Sequence, residues 1–198
     1  MFKVVQTKKQ QKEFERTWEY FCCKYRWYND PYAAEGVRYN IMDKKKTIGT
    51  IEFIPYVPHS PTSTIEGKSC DFSMFHNLAK NNGSVWEVDK LCIKEEYQRQ
   101  GYFEQFIQVL YHHVTEHQPA YYLAYIESKF YRMLKINFGL QIEVLGKPLI
   151  EHNTRLIPIS IKADDLIPRH SALFEGVGGK RKRKLLQTLK GLYRTSSY

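Results

Sequence analysis

The chain has 198 residues, 42% apolar and 15% aromatic, which suits one domain with a buried core and excludes a disordered chain. No run approaches the roughly 18 apolar residues that span a bilayer, and the N-terminus MFKVVQTKKQQKEFERTW lacks an apolar signal core, so a cytoplasmic protein is expected. The formal charge is +9, but seven of the 30 Lys and Arg fall in residues 180–198, which hold no acid, and the other 23 face 21 Asp and Glu. The basic character belongs to the tail, and the reading divides the chain into a domain over 1–179 and a basic tail over 180–198.

Residues 2–5 form a short apolar run that predicts a first strand. Phe14, Trp18, Phe21 and Tyr25 recur at helical spacing, and Asn29-Asp30-Pro31 closes that helix. Residues 37–42 and 47–55 predict a hairpin around the charged turn at 43–46. Residues 56–84 form a long connection rich in Pro, Ser, Thr and Asn, with a short helix expected within 71–80; connections of this length are functional or mobile. Strands follow at 85–93, 120–126, 140–145 and 156–161, with helices after Gly101 and over 128–137, the latter turning Phe130, Met133 and Leu134 inward. Strands alternating with helices after Val85 predict an α/β (α+β) domain with a mixed central sheet flanked by helices.

The stretch VWEVDKLCIKEEYQRQGYFEQFIQVL, residues 85–110, organises this order. Val85, Trp86, Val88, Leu91, Cys92 and Ile93 make a strand buried on both faces. Gly101 frees the backbone at the turn. Phe103, Phe106, Ile107, Leu110 and Val114 then give the next helix one apolar face. A helix opening just after a tight turn points free N–H groups, and the positive end of its dipole, at one spot. Arg99 lies in that turn, so an anion pocket is expected, with phosphate the leading ligand.

The turn Gln98-Arg99-Gln100-Gly101-Tyr102-Phe103 resembles the Gln/Arg-x-x-Gly-x-Gly/Ala signature of the GNAT superfamily of acyl-CoA N-acyltransferases. Gln98 and Gly101 match; Phe103 stands where that family has Gly or Ala. The hairpin YNIMDKKKTIGTIEFIP and the stretch ESKFYRMLKINFGL, whose Gly139-Leu140 matches a Gly-Phe ending, resemble the same superfamily, so the likeness covers residues 38–145. Trp86-Glu87-x-x-Lys90 is also similar to the W-E-x-x-R strand of acyl-homoserine-lactone synthases, a GNAT branch. Lys90 replaces their Arg, and Glu52 replaces the Arg that follows their G-T strand start.

The resemblance implies a single-domain acyl-CoA N-acyltransferase fold. It implies an acyl-CoA, acetyl-CoA first among them, as co-substrate without a metal, and an amine as acceptor. The donor would lie against Leu91, Cys92 and Ile93, with its pyrophosphate at Gln98, Arg99, Gln100, Gly101, Tyr102 and Phe103. Direct attack on a thioester needs a base for the amine and an acid for the departing thiolate. Glu87, beside apolar Val85, Trp86 and Val88, is the candidate base, since burial raises a carboxylate pKa; a solvent-facing strand glutamate is the competing reading. Tyr131 is the candidate acid, set against a plain helix tyrosine.

Several features weigh the other way. Cys92 has no His or Asn placed to activate it, so it reads as a buried thiol rather than a nucleophile. The four cysteines show no CxxC spacing, which excludes a zinc ribbon. His113-Val114-Thr115-Glu116-His117 matches the H-x-x-E-H pattern of inverted zinc peptidases, yet no distal acidic ligand accompanies it, and it reads as chance. The tail could meet nucleic acid or an anionic membrane, though a solvated helix is favoured. A homodimer is compatible, and a non-catalytic CoA-binding module is the main rival to an enzyme.

Overall fold

The computed structural model describes residues 1–74, 84–151 and 153–166. Its β-favouring runs pair into one eight-stranded mixed sheet. In chain order the elements are β1 (Phe2–Val4), α1 (Lys8–Tyr25), β2 (Val37–Asp43), β3 (Lys46–Pro55), β4 (Val85–Ile93), α2 (Phe103–His117), β5 (Tyr121–Glu127), α3 (Ser128–Phe138), β6 (Ile142–Val144), β7 (Leu149–Glu151) and β8 (Thr154–Lys162). The sheet runs β1-β2-β3-β4-β5-β8-β6, with β7 also on β8. All neighbours are antiparallel except β4 and β5. This is the mixed sheet flanked by helices that the sequence predicts, with β7 added. At three residues β7 is too short to show a period-2 pattern. The expected strand at 140–145 narrows to Ile142–Val144.

Thr7 starts α1 with a capping box: its hydroxyl accepts from Gln10 N at 3.2 Å, and Gln10 Oε1 accepts from Thr7 N at 2.9 Å. Phe14, Trp18 and Phe21 are buried as the spacing predicts, but Tyr25 is exposed, its hydroxyl donating to Glu95. The helix stops at Arg26, whose φ of 58° ends it ahead of Asn29-Asp30-Pro31. In α3, Leu134 is buried and Phe130 and Tyr131 pack on the core, whereas Met133 does not belong to it. Residues 72–74 form one 3₁₀ turn; the rest of the helix expected in 71–80, and the boundary at residue 179 with the tail beyond it, lie outside the described residues.

Two layers cover the sheet. On one face, α2 and α3 pack on Tyr39, Ile41, Ile51, Phe53, Trp86, Tyr122, Ala124, Ile126, Ile159 and Ile161. On the other, α1 packs Trp18, Phe21 and Cys22 on Cys92, while residues 56–74 bring Ile65, Cys70 and Phe72 onto Leu123. Strand alternation puts Glu87 on the α1 face, next to Trp86 on the α2 face. Among the described residues no helix is long and apolar enough to cross a membrane.

Candidate active site

The pairing of β4 sets the site. Its first three residues, Val85, Trp86 and Glu87, pair in parallel with Tyr121, Tyr122 and Leu123. Beyond Glu87 the ladder to β5 ends, while β4 continues against β3 as far as Ile93. Two strands that start paired and then part leave a wedge between them. Within that stretch β4 carries a bulge: Glu52 faces Asp89 and Thr50 faces Cys92, so Lys90 and Leu91 share Ile51 as partner. Lys90 takes φ 49°, and its carbonyl accepts from Thr50 Oγ1 at 2.7 Å. The extra residue shifts the alternation, turning Asp89 and Lys90 both to the α1 face and Leu91 to the α2 face.

Burying Lys90 requires counter-charge. Its ammonium lies 2.9 Å from Glu52 Oε2 and 2.8 Å from Asp89 Oδ2, and Glu52 Oε1 lies 2.7 Å from Arg38 Nε. The Tyr32 ring sits under both cations, 5.3 Å from Lys90 and 5.5 Å from Arg38. Gly36 lets the loop before β2 close over this network, because a Cβ there would stand 2.4 Å from Glu52 Oε1. Burial pulls the Lys90 pKa down, but Asp89 and Glu52 outweigh it and leave it raised. Burial raises Glu52 against the pull of Lys90 and Arg38. The two departures from the synthase pattern, Glu52 and Lys90, therefore pair with each other. A charge of each sign on neighbouring apolar strands was the sequence signal of this pair.

Glu87 is 1% exposed. Its Oε2 accepts from Thr64 N and Thr64 Oγ1, both at 2.9 Å. Burial raises its pKa, and the hydroxyls of Ser63 and Thr64 with the Thr64 amide offset part of that rise. Oε1 is buried and, among the described residues, meets no partner in hydrogen-bonding geometry. The expectation that Trp86 and Val88 desolvate Glu87 is corrected here. Both point to the α2 face, Trp86 packing against His113 and His117 at 4.6 and 5.0 Å. The hydrogen-bonding cover over Glu87 comes from Ser63 and Thr64 of the long connection, which has no periodicity to reveal it.

At the far end of β4, Arg99 and Gly101 take φ 60° and 86°, the left-handed geometry that a tight strand-to-helix turn requires. Tyr102 precedes α2 without a capping side chain, and the Glu104 and Gln105 amides of the first turn donate to Gly101 O and Tyr102 O at 3.2 and 3.0 Å. Gln98 Nε2 donates to Ile93 O at 3.1 Å, Gln100 Nε2 donates to Glu96 O, and Arg99 is exposed. Leu91 and Ile93 are partly buried on the α2 face, as are Tyr97, Tyr102 and Phe103. Cys92 points the other way, buried, its Sγ 3.0 Å from Thr50 Oγ1; burial pushes its thiol up to about 12. Phe103 meets Phe130 edge-on at 5.6 Å, joining the starts of α2 and α3. Tyr131 packs on the same side with Lys135 at 5.4 Å from its ring. The turn residues are thus brought together with Leu91 and Ile93, whereas Cys92 and Glu87 lie on the α1 face and Tyr131 on the α2 face.

Of the H-x-x-E-H stretch, His113 and Val114 belong to the core, His117 is half-buried, and Thr115 and Glu116 are exposed. His113 is fully buried, stacks on Phe53 at 4.0 Å and on His117 at 4.4 Å, and pairs Nδ1 with the Tyr122 hydroxyl at 2.8 Å. Imidazole lone pairs lie in the ring plane, so stacked rings do not aim both at one ion. Burial, then His117 and His112, lower the His113 pKa to about 3. Elsewhere, His59, Glu66 and Asp71 bring ligand atoms within 4.8 Å of one another on the surface of the 56–74 segment. Glu66 already accepts from Tyr56, and Asp71 from Ser73.

The chain has the fold of the GNAT-like acyltransferases. It is similar to FeeM, an N-acyl amino acid synthase from uncultured soil microbes: TM-score 0.62, 11% identity, 84% of this chain and 92% of that one covered. BjaI, a CoA-dependent acyl-homoserine lactone synthase solved with SAM and isopentyl-CoA, gives TM-score 0.62 at 14% identity over 90% and 89%. The acyl-homoserine-lactone synthase LasI gives 0.63 at 11% over 90% and 94%. Neither protein-family models nor curated protein sequences give a match.

Proposed function

We propose that the chain is an acyl-CoA-dependent N-acyltransferase. The carrying observation is the wedge that opens past Glu87 between β4 and β5 and leads to the tight turn through Arg99 and Gly101 that starts α2. An extended thioester arm fits between strands that have stopped pairing, where backbone groups of β4 are free to bond it. The pyrophosphate fits at residues 98–103, where turn amides and the α2 dipole favour negative charge. Leu91, Ile93, Phe103 and Phe130 give the wedge apolar walls. Glu87 takes one proton from the acceptor ammonium, directly or through one water; the freed amine forms the C–N bond and releases its second proton to solvent as the C–S bond breaks. Tyr131 is assigned the proton returned to the thiolate. Burial keeps Glu87 basic enough for this task.

Acetyl-CoA is the smallest donor to try, and longer acyl-CoAs follow, since BjaI is solved with isopentyl-CoA. An amine carried on an amino-acid skeleton is the first acceptor class to screen, since FeeM is an N-acyl amino acid synthase. A non-catalytic acyl-CoA-binding module remains the second reading, favoured by Thr64 holding one Glu87 oxygen and by the bulk of Phe103 at the turn. A thermal-shift panel of CoA, acetyl-CoA and longer acyl-CoAs tests the donor site. A ligand at about 100 times its Kd stabilises by roughly 2.7 kcal/mol. Stabilisation with no turnover on any amine points to the second reading, and no stabilisation by any thioester or by CoA removes both.

A further inference from the structure

Beside the helix start lies a cleft of about 830 Å³ that no part of this reaction uses. It opens between α1, the β2–β3 turn and residues 94–96. Five cations line it, Arg16, Lys44, Lys45, Lys46 and Lys94, against three acids, Glu13, Asp43 and Glu96. Among the described residues none of the five cations lies within salt-bridge distance of a carboxylate; the ion pairs of the chain form elsewhere. The acids are directed to other partners: Glu13 accepts from Thr47 at 3.4 Å, and Asp43 from Tyr102. Lys94 donates to a backbone carbonyl, Thr47 O, at 3.3 Å; burial and then Lys46 lower its pKa. Five cations against three acids leave a net positive charge on this concave surface, which favours a compact polyanion.

The cleft adjoins the turn that would hold the pyrophosphate. Lys46 Nζ stands 5.4 Å over the Tyr97 ring, Tyr97 meets Tyr102 at 5.5 Å, and Gln105 of α2 donates to Met42 O at 3.3 Å. Coenzyme A carries its second cluster of negative charge, a 3′-phosphate on adenosine, next to the pyrophosphate and away from the thiol. We propose that this cleft binds the 3′-phosphorylated adenosine end of the acyl-CoA. The inference rests on the donor reading above and adds where the nucleotide goes. The β2–β3 turn then acts as a specificity element that distinguishes CoA from donors lacking the 3′-phosphate.

Calorimetric titration of the full chain with CoA and with 3′-dephospho-CoA tests this, on the wild type and on Lys45→Gln/Lys46→Gln. Both lysines are exposed, so the variant should keep its fold; Lys45→Gln alone serves if its native melt is lost. The expected result is that the wild type binds CoA about tenfold more tightly than 3′-dephospho-CoA. The variant should bind the two equally and keep the wild-type affinity for 3′-dephospho-CoA. Raised salt should narrow the wild-type preference. Equal binding of both ligands by the wild type, or a preference that survives in the variant, overturns the assignment of the cleft while leaving the donor site intact. Failure of the wild type to bind either ligand overturns the donor reading itself.

Discussion

On the α2 side of β4, His113 lies buried beside Trp86 and Tyr122; on the α1 side, Glu87 lies equally buried against Thr64. Burial drives both toward neutrality, the imidazole down to about 3 and the carboxylate upward. The chemical outcomes are opposite. A histidine already near neutral pH becomes a fixed neutral ring with nothing left to titrate. A carboxylate, ordinarily a weak base, becomes a stronger one. The same desolvation therefore silences a motif that looks catalytic in sequence and sharpens a glutamate that looks ordinary.

The largest expected effect tests the active half of that contrast. Glu87→Gln keeps the shape but cannot take a proton, so kcat on a confirmed acceptor should fall roughly 10²–10⁴-fold with acyl-CoA affinity unchanged. Wild-type turnover, with chemistry shown to be rate-limiting, would reduce β4 to a platform for the donor.

Next comes the counter-charge that keeps the α1 face in order. Lys90→Met leaves Asp89 without its ammonium and Glu52 with Arg38 alone. Removing one member of a buried pair should cost about 3–5 kcal/mol in urea unfolding. Adding Glu52→Gln should recover part of the loss, and strictly additive losses would show that the two do not interact.

The smallest effect lies on the silent face. His113→Phe leaves the Tyr122 hydroxyl without its partner, at about 1–3 kcal/mol. The sign of its pH dependence is fixed. With the folded pKa about 3 and an unfolded value of roughly 6.5, the unfolded chain binds the proton first. The contribution of His113 is complete above the unfolded value and is lost as pH falls toward 3. Glu87 runs the other way: its contribution is complete below the ordinary carboxylate range and is lost as pH rises through its raised pKa. The variant should therefore show a shallower loss of stability on acidification from about pH 6.5. An unchanged acid limb would mean that His113 is not held neutral in the fold.

Much of this was legible in the sequence, for reasons visible in particular residues. Phe14, Trp18 and Phe21 repeat at helical spacing because α1 buries one stripe; the apolar run from Val85 to Ile93 marks a strand covered on both faces. Gly101 marked the turn because that φ suits glycine. What stayed hidden depended on register and on segments without a period. Nothing local shows that a bulge at Lys90 turns two consecutive side chains to one face, or that Thr64, far along an irregular connection, reaches back to Glu87. Met133 and Tyr131 compete for the inward side of one short helix, and spacing alone chose the wrong one.

The three-residue parallel pairing between β4 and β5 also bears on how the domain assembles. Strands β1 to β4 and strands β5 to β8 each form an antiparallel set that can zip through its own ladders. The two sets meet along a seam of three residue pairs, and only after α2 has bridged them. Contacts that need such a crossover are slow to form. The shortness of this join keeps the wedge open, and late joining of the two halves across it is the folding order expected from this topology.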